Sequence, residues 1–330
     1  MRQFVYVLIV AVASPFLVAG YVLMMLRGWG EMRRSGLSIT AANALLNRTL
    51  LHRLGRRPDP VAASLLPRVP YVSRLGRVLL NGPLYWATRI TGWYPGSLRY
   101  DVAAAESPSG MFGARTAFFD AALIRYRPRV RQLLILGAGF DTRSFTHARG
   151  LPVFEVDLPA MQALKRRLLL ESGWRRDDIV FTPADFDRER WLEALTARGF
   201  DPALPTFVLW EGVSFYLRAP AVGETLRAIS SLAPGTVLAF DYFARRVAEP
   251  TTRSGRLVKR LSRLNGEEFR FGLPTRPPAR EHAAAFVRQY GLRLVDYQAI
   301  GPEAPPREPL GGLVVAVRDA QAAGAEPPSA

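Results

Sequence analysis

The 330-residue sequence contains no cysteine, three histidines and, at Lys165 and Lys259, its only lysines. Without cysteine there is no disulfide framework, no thiolate-bound zinc and no thiol nucleophile. His52, His147 and His282 are far apart and form no H-x-x-x-H spacing, so no histidine-based metal site is expected, and carboxylate sites stay open. Positive charge is therefore almost all arginine. That bias follows a GC-rich genome as readily as nucleic-acid recognition, and no nucleic-acid partner is expected. Apolar residues are plentiful, 49% against 22% charged, which excludes a disordered polyampholyte and permits a large core.

The formal net charge, 44 basic minus 28 acidic residues or +16, is unevenly placed. Ten arginines lie between Arg27 and Arg77, against Glu31 and Asp59. They follow Phe4–Leu26, a run of 23 residues without a charge. As one helix that run would reach about 34 Å, enough to cross a hydrocarbon layer of about 30 Å. Pro15 and Gly20 are tolerated in such helices, where Pro15 can kink the path. A cleaved signal peptide has a shorter apolar region. A single-pass transmembrane anchor over residues 1–30 is thus expected. The arginines after the run leave the amino terminus outside and the rest in the cytoplasm. The basic region of residues 31–98 would sit against anionic head groups.

Within that region, prolines at 58, 60, 67, 70, 83 and 95 are expected to break helices. Val78–Tyr94 is apolar and aromatic. It suits a second interfacial membrane contact, a lid, or a helix packed on the catalytic domain, and these stay open.

From about Arg131 short apolar runs alternate with amphipathic stretches. Strands are expected at Gln132–Leu136, Val153–Val156, Ile179–Thr182, Thr206–Trp210, Thr236–Phe240, Leu292–Tyr297 and Leu313–Arg318. Helices are expected at Ala160–Glu171, Arg188–Arg198, Pro220–Leu232 and Arg280–Tyr290. Near-continuous apolar strands separated by helices imply an α/β fold with a parallel sheet covered on both faces. The Pro/Gly-rich link of residues 298–312 is too short for a crossover helix, so the last two strands should be antiparallel neighbours. Residues 243–279 look like an inserted lid, and Asp319–Ala330 like a disordered tail.

In an open doubly wound sheet, ligands bind beyond the carboxyl ends of the strands. Gly137-Ala138-Gly139 follows the first strand and allows close backbone approach and a tight turn. Asp157 follows the second, twenty residues past Gly137, where a carboxylate can accept both hydroxyls of a ribose. Asp185 and Phe186 follow the third, an acid and an aromatic suited to adenine. Glu211 follows the fourth, with Phe215 and Tyr216 close behind. A nucleoside-type ligand is expected. The nicotinamide fingerprint wants a third glycine where Thr142 stands.

Gly113-Ala114-Arg115-Thr116-Ala117-Phe118-Phe119-Asp120, LILGAGFDTR (residues 134–143), EVDLP (155–159), the Ala184-Asp185-Phe186 turn and WEGVSFYL (210–217) together resemble the leucine carboxyl methyltransferase family. More closely they resemble its large microbial branch of S-adenosylmethionine-dependent O-methyltransferases. The resemblance covers residues 99–318. It implies a class I methyltransferase (Rossmann-like) fold, with seven strands and the last antiparallel. It also implies roles for S-adenosyl-L-methionine as cofactor. Arg115 would bind the methionine carboxylate by its two-point fork. Gly137, with Gly139, would let the chain pass close to the methionine part. Asp157 would hold the ribose, Asp185 and Phe186 the adenine, and Glu211 the ammonium or sulfonium end. Phe186 stands where the family usually has leucine, and the family's early lysine has no match.

The implied reaction is in-line methyl transfer to a nucleophilic oxygen, for which alignment is the main requirement. A carboxylate acceptor needs no base, whereas a hydroxyl does. Glu211, Tyr216, Asp241 and Tyr242 are the candidates for that role. His147 and His282 read as structural and exposed. The apolar amino-terminal run points to a small-molecule or lipid substrate that partitions into membranes. A nicotinamide-dependent membrane oxidoreductase and a non-catalytic S-adenosylmethionine-binding protein are the alternatives.

Overall fold

The computed structural model describes residues 1–35, 39–252, 256–257, 259–260, 268–304 and 307–319. The tail expected over Asp319–Ala330 lies, after Asp319, outside the described residues. The chain divides into two compact units. One comprises residues 1–116, 139–142 and 163–175, the other 117–138, 143–162 and 176–330.

The second unit is built on a seven-stranded sheet. Its strands are β1 (Gln132–Leu136), β2 (Val153–Asp157), β3 (Ile179–Pro183), β4 (Thr206–Trp210), β5 (Val237–Phe243), β6 (Leu292–Ile300) and β7 (Gly311–Arg318). The order is β3-β2-β1-β4-β5-β7-β6. The first five strands pair in parallel, while β7 runs antiparallel to both β5 and β6. This is the sheet implied by the resemblance, and the short link after β6 does connect antiparallel neighbours. The expected strands keep their places, with longer ends at β5 and β6. In β6 a register shift between Leu294 and Asp296 carries pairing on to Ile300.

Alternation along the strands sets the core. Leu134, Val156, Val208, Trp210, Leu238 and Phe240 share one face and pack into one buried cluster. The helices bracketing that cluster are α9 (Trp191–Thr196), α10 (Ala219–Ser230) and α12 (Ala279–Arg288). The α9 helix starts later than expected because residues 188–190 lie outside it, with the Arg188 and Glu189 amides hydrogen-bonded back to the Asp185 carbonyl. The described part of the expected lid holds a four-residue helix, α11 (Arg245–Ala248). It also holds a return at Phe269–Leu273, where Phe269 packs on Phe215, Tyr216 and Phe243. Residues 253–255, 258 and 261–267 of that segment lie outside the described residues.

The first unit is helical: α1 (Arg2–Val12), α2 (Ser14–Ser35), α3 (Ile39–Arg53), α4 (Pro60–Leu65) and α5 (Arg74–Thr91). The single helix expected over Phe4–Leu26 is instead broken at Ala13. No single described helix is long and apolar enough to cross a membrane. Arg2–Val12 and Ser14–Gly28 meet that measure only together, bent by 61°. The break falls just before Pro15, whose missing N–H and ring favour an interruption there. Pro83, by contrast, lies inside α5 and does not end it. That helix begins on the Ser73 side chain, which accepts from Gly76 N–H at 3.0 Å, and ends at Gly92 in the left-handed region. Val78–Tyr94 is thus mostly helix, packed against α1 and α2.

Two of the ten arginines expected to face head groups are interior. Arg48 pairs with Asp141 at 2.8 Å, and Arg57 pairs with Asp59. Asp59 also caps α4 through Ala62 N–H and accepts from Thr142 Oγ1 at 2.6 Å. Burial of a charge requires such partners.

Candidate functional site

In the sheet-bearing unit, β2, β1 and β4 are neighbours, and their carboxyl ends carry Asp157, Gly137 and Glu211. Gly137 has φ +66°, a left-handed conformation that side chains rarely adopt. A Cβ there would also collide with the side chain of Val213, in the turn after β4. Glycine is therefore demanded twice, by conformation and by the close approach of two strand-end turns. Asp157 Oδ1 accepts from Leu158 N–H at 2.7 Å, which fixes the carboxylate at the start of α8 (Pro159–Glu171). Asp185 Oδ1 likewise accepts from Asp187 N–H at 2.9 Å, and its Oδ2 lies 3.7 Å from Arg188 Nε.

Glu211 is held by a residue to which the sequence had given no role. Arg143 Nη1 donates to Glu211 Oε2 at 2.6 Å, and Arg143 Nε donates to Asp120 Oδ1. The guanidinium is wholly buried, and the two carboxylate side chains are 1% and 7% exposed. His147 closes the cluster, with Nε2 at 3.7 Å from Asp120 Oδ2 and Nδ1 on Thr146 Oγ1. Asp120 comes from α6 (Met111–Tyr126) and Arg143 from the short helix α7 (Arg143–Thr146) after the glycine turn. Both residues stand inside the motif blocks that carry the resemblance. The available signal was opposite charge within otherwise apolar stretches, Phe118-Phe119-Asp120-Ala121 being one.

Tyr242 is withdrawn from the chemistry. It shares the strand face of Leu238 and Phe240, is fully buried, and its hydroxyl lies 3.3 Å from that of Tyr297. Burial, reinforced by Tyr297, pushes its hydroxyl far above the ordinary value of 10. A phenol held protonated in a core is a packing group, not a proton acceptor. Alternation in β5 already places residue 242 on the core face. Asp241, on the opposite phase, accepts from Gly212 N–H at 2.7 Å and so supports the turn that carries Glu211. Ser214 Oγ donates to the Asp241 carbonyl. Tyr216 is half-buried and stacks on Phe269, with ring centroids 5.6 Å apart at 17°.

The Phe186 ring, expected against adenine, is turned into the core and meets Trp191 edge-on at 6.4 Å. Asp185 is left as the more exposed member of that turn. His282 is exposed, as expected.

Arg115 and Gly139 belong to the helical unit. Arg115 is 7% exposed on α6, its guanidinium carbon 5.3 Å from the Phe112 ring centre. Gly139 has φ +42° and opens the segment that ends in Thr142, on Asp59. Asp141 in the same segment is tied to Arg48. Residues 139–142 are thus tied to α3 and α4 through two buried carboxylates.

The donor set suits an adenosyl sulfonium. Asp157 is a carboxylate at the position for a diol, Glu211 is a carboxylate for a positive charge, and glycine stands between them. Among the described residues, no group of three or more acidic or histidine side chains could hold a metal ion.

Comparisons with known proteins point to S-adenosyl-L-methionine as the cofactor. The family model described as leucine carboxyl methyltransferase matches residues 80–230. A protein of Mycobacterium sp. strain KMS is 34% identical over 225 residues, covering 62% of this chain and 71% of the relative. One of Mycobacteroides abscessus is 36% identical over 152 residues, covering 43% of this chain and 49% of the relative. Both are provisionally named S-adenosyl-L-methionine-dependent methyltransferases. The chain thus spans about half the length of the second relative. An O-methyltransferase family protein from Burkholderia thailandensis has a TM-score of 0.42 at 18% identity, covering 74% of this chain and 72% of that one.

Proposed function

The chain belongs to the leucine carboxyl methyltransferase family, and from that membership we propose that it transfers a methyl group from S-adenosyl-L-methionine to an oxygen of an apolar acceptor at a membrane. The observation that carries the proposal is the sequence of adjacent strand ends, Asp157, Gly137 and Glu211, with Glu211 fixed by Arg143. S-adenosyl-L-methionine, when bound, supplies a methyl group already activated by its positive sulfur. Asp157 would hold the ribose hydroxyls, and Asp185 the adenine amino group. Arg115 would hold the methionine carboxylate, and Glu211 would face the charged end. The task left to the protein is orientation.

A carboxylate is the acceptor these residues favour. Tyr242 stays protonated in the core, and the Asp241 carboxylate is committed to the Gly212 amide. With these two candidates occupied, an acceptor that is already ionised and needs no base is the simpler partner. Exposed apolar side chains on α1 and α2, among them Phe4, Val12 and Phe16, support membrane attachment and a lipid-like substrate. Attachment would leave the catalytic unit in the cytoplasm, on the side favoured by Arg27, Arg33 and Arg34.

Incubation of the purified protein with methyl-labelled donor and a total lipid extract tests the proposal. Label in an apolar product that mild alkali releases as methanol is expected, because methyl esters hydrolyse and methyl ethers do not. Alkali-stable label would overturn the carboxylate acceptor. Calorimetric binding of NADH but not of S-adenosyl-L-methionine would overturn the methyltransferase.

A further inference from the structure

The bent apolar segment does not stand away from the helical unit. Both of its helices pack on α5, the earlier residues against the end of α5 and the later ones against its start. At one end Tyr6, the buried residue of α1, hydrogen-bonds Thr88 and meets the Trp93 ring at 4.6 Å. At the other end a Cβ on Gly20 would lie 2.7 Å from Leu80 N and 2.8 Å from Gly76 O, so the backbones of α2 and α5 touch. This small-residue contact is the kind that joins helices where water is absent.

The α5 helix rests in turn on α3. Tyr85 and Tyr94 pack on Leu50 and Leu54 near the end of α3, and Leu80 shares an apolar cleft with Ala42 and Asn43 near its start. Neither support is a membrane span. The α3 helix carries the buried Arg48–Asp141 pair, and α5 carries Arg77, Asn81 and Arg89 within its length. A spanning segment needs one end about 30 Å from the other across hydrocarbon. Here both ends are held on a helix too polar to make that crossing.

The outward surface is nevertheless apolar. On α5, Leu75, Val78, Trp86 and Ile90 are exposed and recur at helical spacing. On α1 and α2, Phe4, Leu8, Val12, Val18 and Val22 are exposed as well. Arg2, Arg27, Arg74 and Arg89 are exposed on the same three helices. Apolar side chains with interspersed arginine, on helices that cannot cross, are the features of a segment lying in the head-group plane of an anionic bilayer.

We propose that α1, α2 and α5 form an in-plane insertion device that enters one leaflet of an anionic membrane without crossing it, so that the amino terminus stays on the same side as the rest of the chain. This rests on the membrane attachment proposed above and replaces the single-pass anchor with a monotopic one.

The absence of cysteine makes the test direct. Gln3→Cys and Ala197→Cys, both at exposed positions, are made singly in the full chain and produced in a bacterial host. Right-side-out and inverted membrane vesicles are then treated with a membrane-impermeant maleimide. Both cysteines should react in inverted vesicles and neither in sealed right-side-out ones. Reaction of the two from opposite faces would overturn the in-plane placement while keeping membrane attachment. Protein that neither sediments with these membranes nor floats with vesicles of phosphatidylglycerol would overturn the attachment itself, and a soluble dimer in that case would identify a second copy as the occupant. Trp86→Glu with Ile90→Glu should lower flotation at least tenfold, and unchanged flotation would remove α5 from the device.

Discussion

Arg143 donates to Glu211 across 2.6 Å from a guanidinium that has no exposure to solvent. The same side chain reaches Asp120, so one buried cation fixes two carboxylates from different elements. Breaking such a pair leaves a charge in the interior, at a cost of about 3–5 kcal/mol. Arg143→Ala should lower unfolding stability by that amount, read as a shift in the denaturant midpoint. Arg143→Lys keeps the charge but loses the planar fork. It should retain more stability than the alanine variant yet lose most methyl transfer.

Gly137→Ala should fail for two separable reasons. The left-handed backbone costs about 1–2 kcal/mol for any residue with a Cβ. The collision with Val213 adds to it. Combining Gly137→Ala with Val213→Ala should recover the steric part and leave the conformational part. Thermal unfolding of the single and double variants measures both. Equal stability of the two would show that Val213 does not press on this turn.

Tyr242 provides a pH prediction. Its hydroxyl is raised above the ordinary value of 10 by burial first and by Tyr297 second, and the Tyr297 hydroxyl is itself raised by burial. The unfolded chain releases these protons above about pH 10, while the folded chain keeps them. Stability is therefore unaffected below that pH and falls above it, by up to about 1.4 kcal/mol per pH unit for each group. Tyr242→Phe should reduce the alkaline loss in a titration of unfolding free energy. It should also leave methyl transfer within about threefold, whereas loss of a true general base costs about 100-fold or more.

Asp157→Ala removes the carboxylate assigned to the ribose. Charge-assisted hydrogen bonds contribute about 1.5–3 kcal/mol, so affinity for S-adenosyl-L-methionine should fall by about 10- to 100-fold. Calorimetry measures this directly, and S-adenosylhomocysteine should weaken in parallel because it keeps the same sugar.

The centre of the sheet could be read from the sequence because β1, β4 and the start of β5 are buried on both faces and appear as uninterrupted apolar runs. Gln132–Leu136 and Thr206–Trp210 match to the residue. The antiparallel end was legible from the short link before β7. The amino-terminal half was not legible to the same degree. Pro83 looked like a helix end, yet tertiary contacts with α1 and α2 keep α5 continuous through it. Pro15 already marked a kink in Phe4–Leu26, but composition reports length and not path, so the full break into two helices bent by 61° was not legible. The strand-end positions of Asp157 and Glu211 were legible from the apolar runs that precede them. Arg143 was missed because its partners, Asp120 and Glu211, are 23 and 68 positions away. Phe186 and Tyr242 were assigned outward because their neighbours in sequence face the strand ends, although alternation from Leu238 already pointed Tyr242 inward.

The contact between Gly20 and Gly76 joins residues 56 positions apart. A ribosome adding about 5–20 residues per second needs several seconds to make the second after the first. The close approach of Gly20 to Gly76 therefore cannot form until residue 76 has been added, and α2 waits seconds for the helix it packs on.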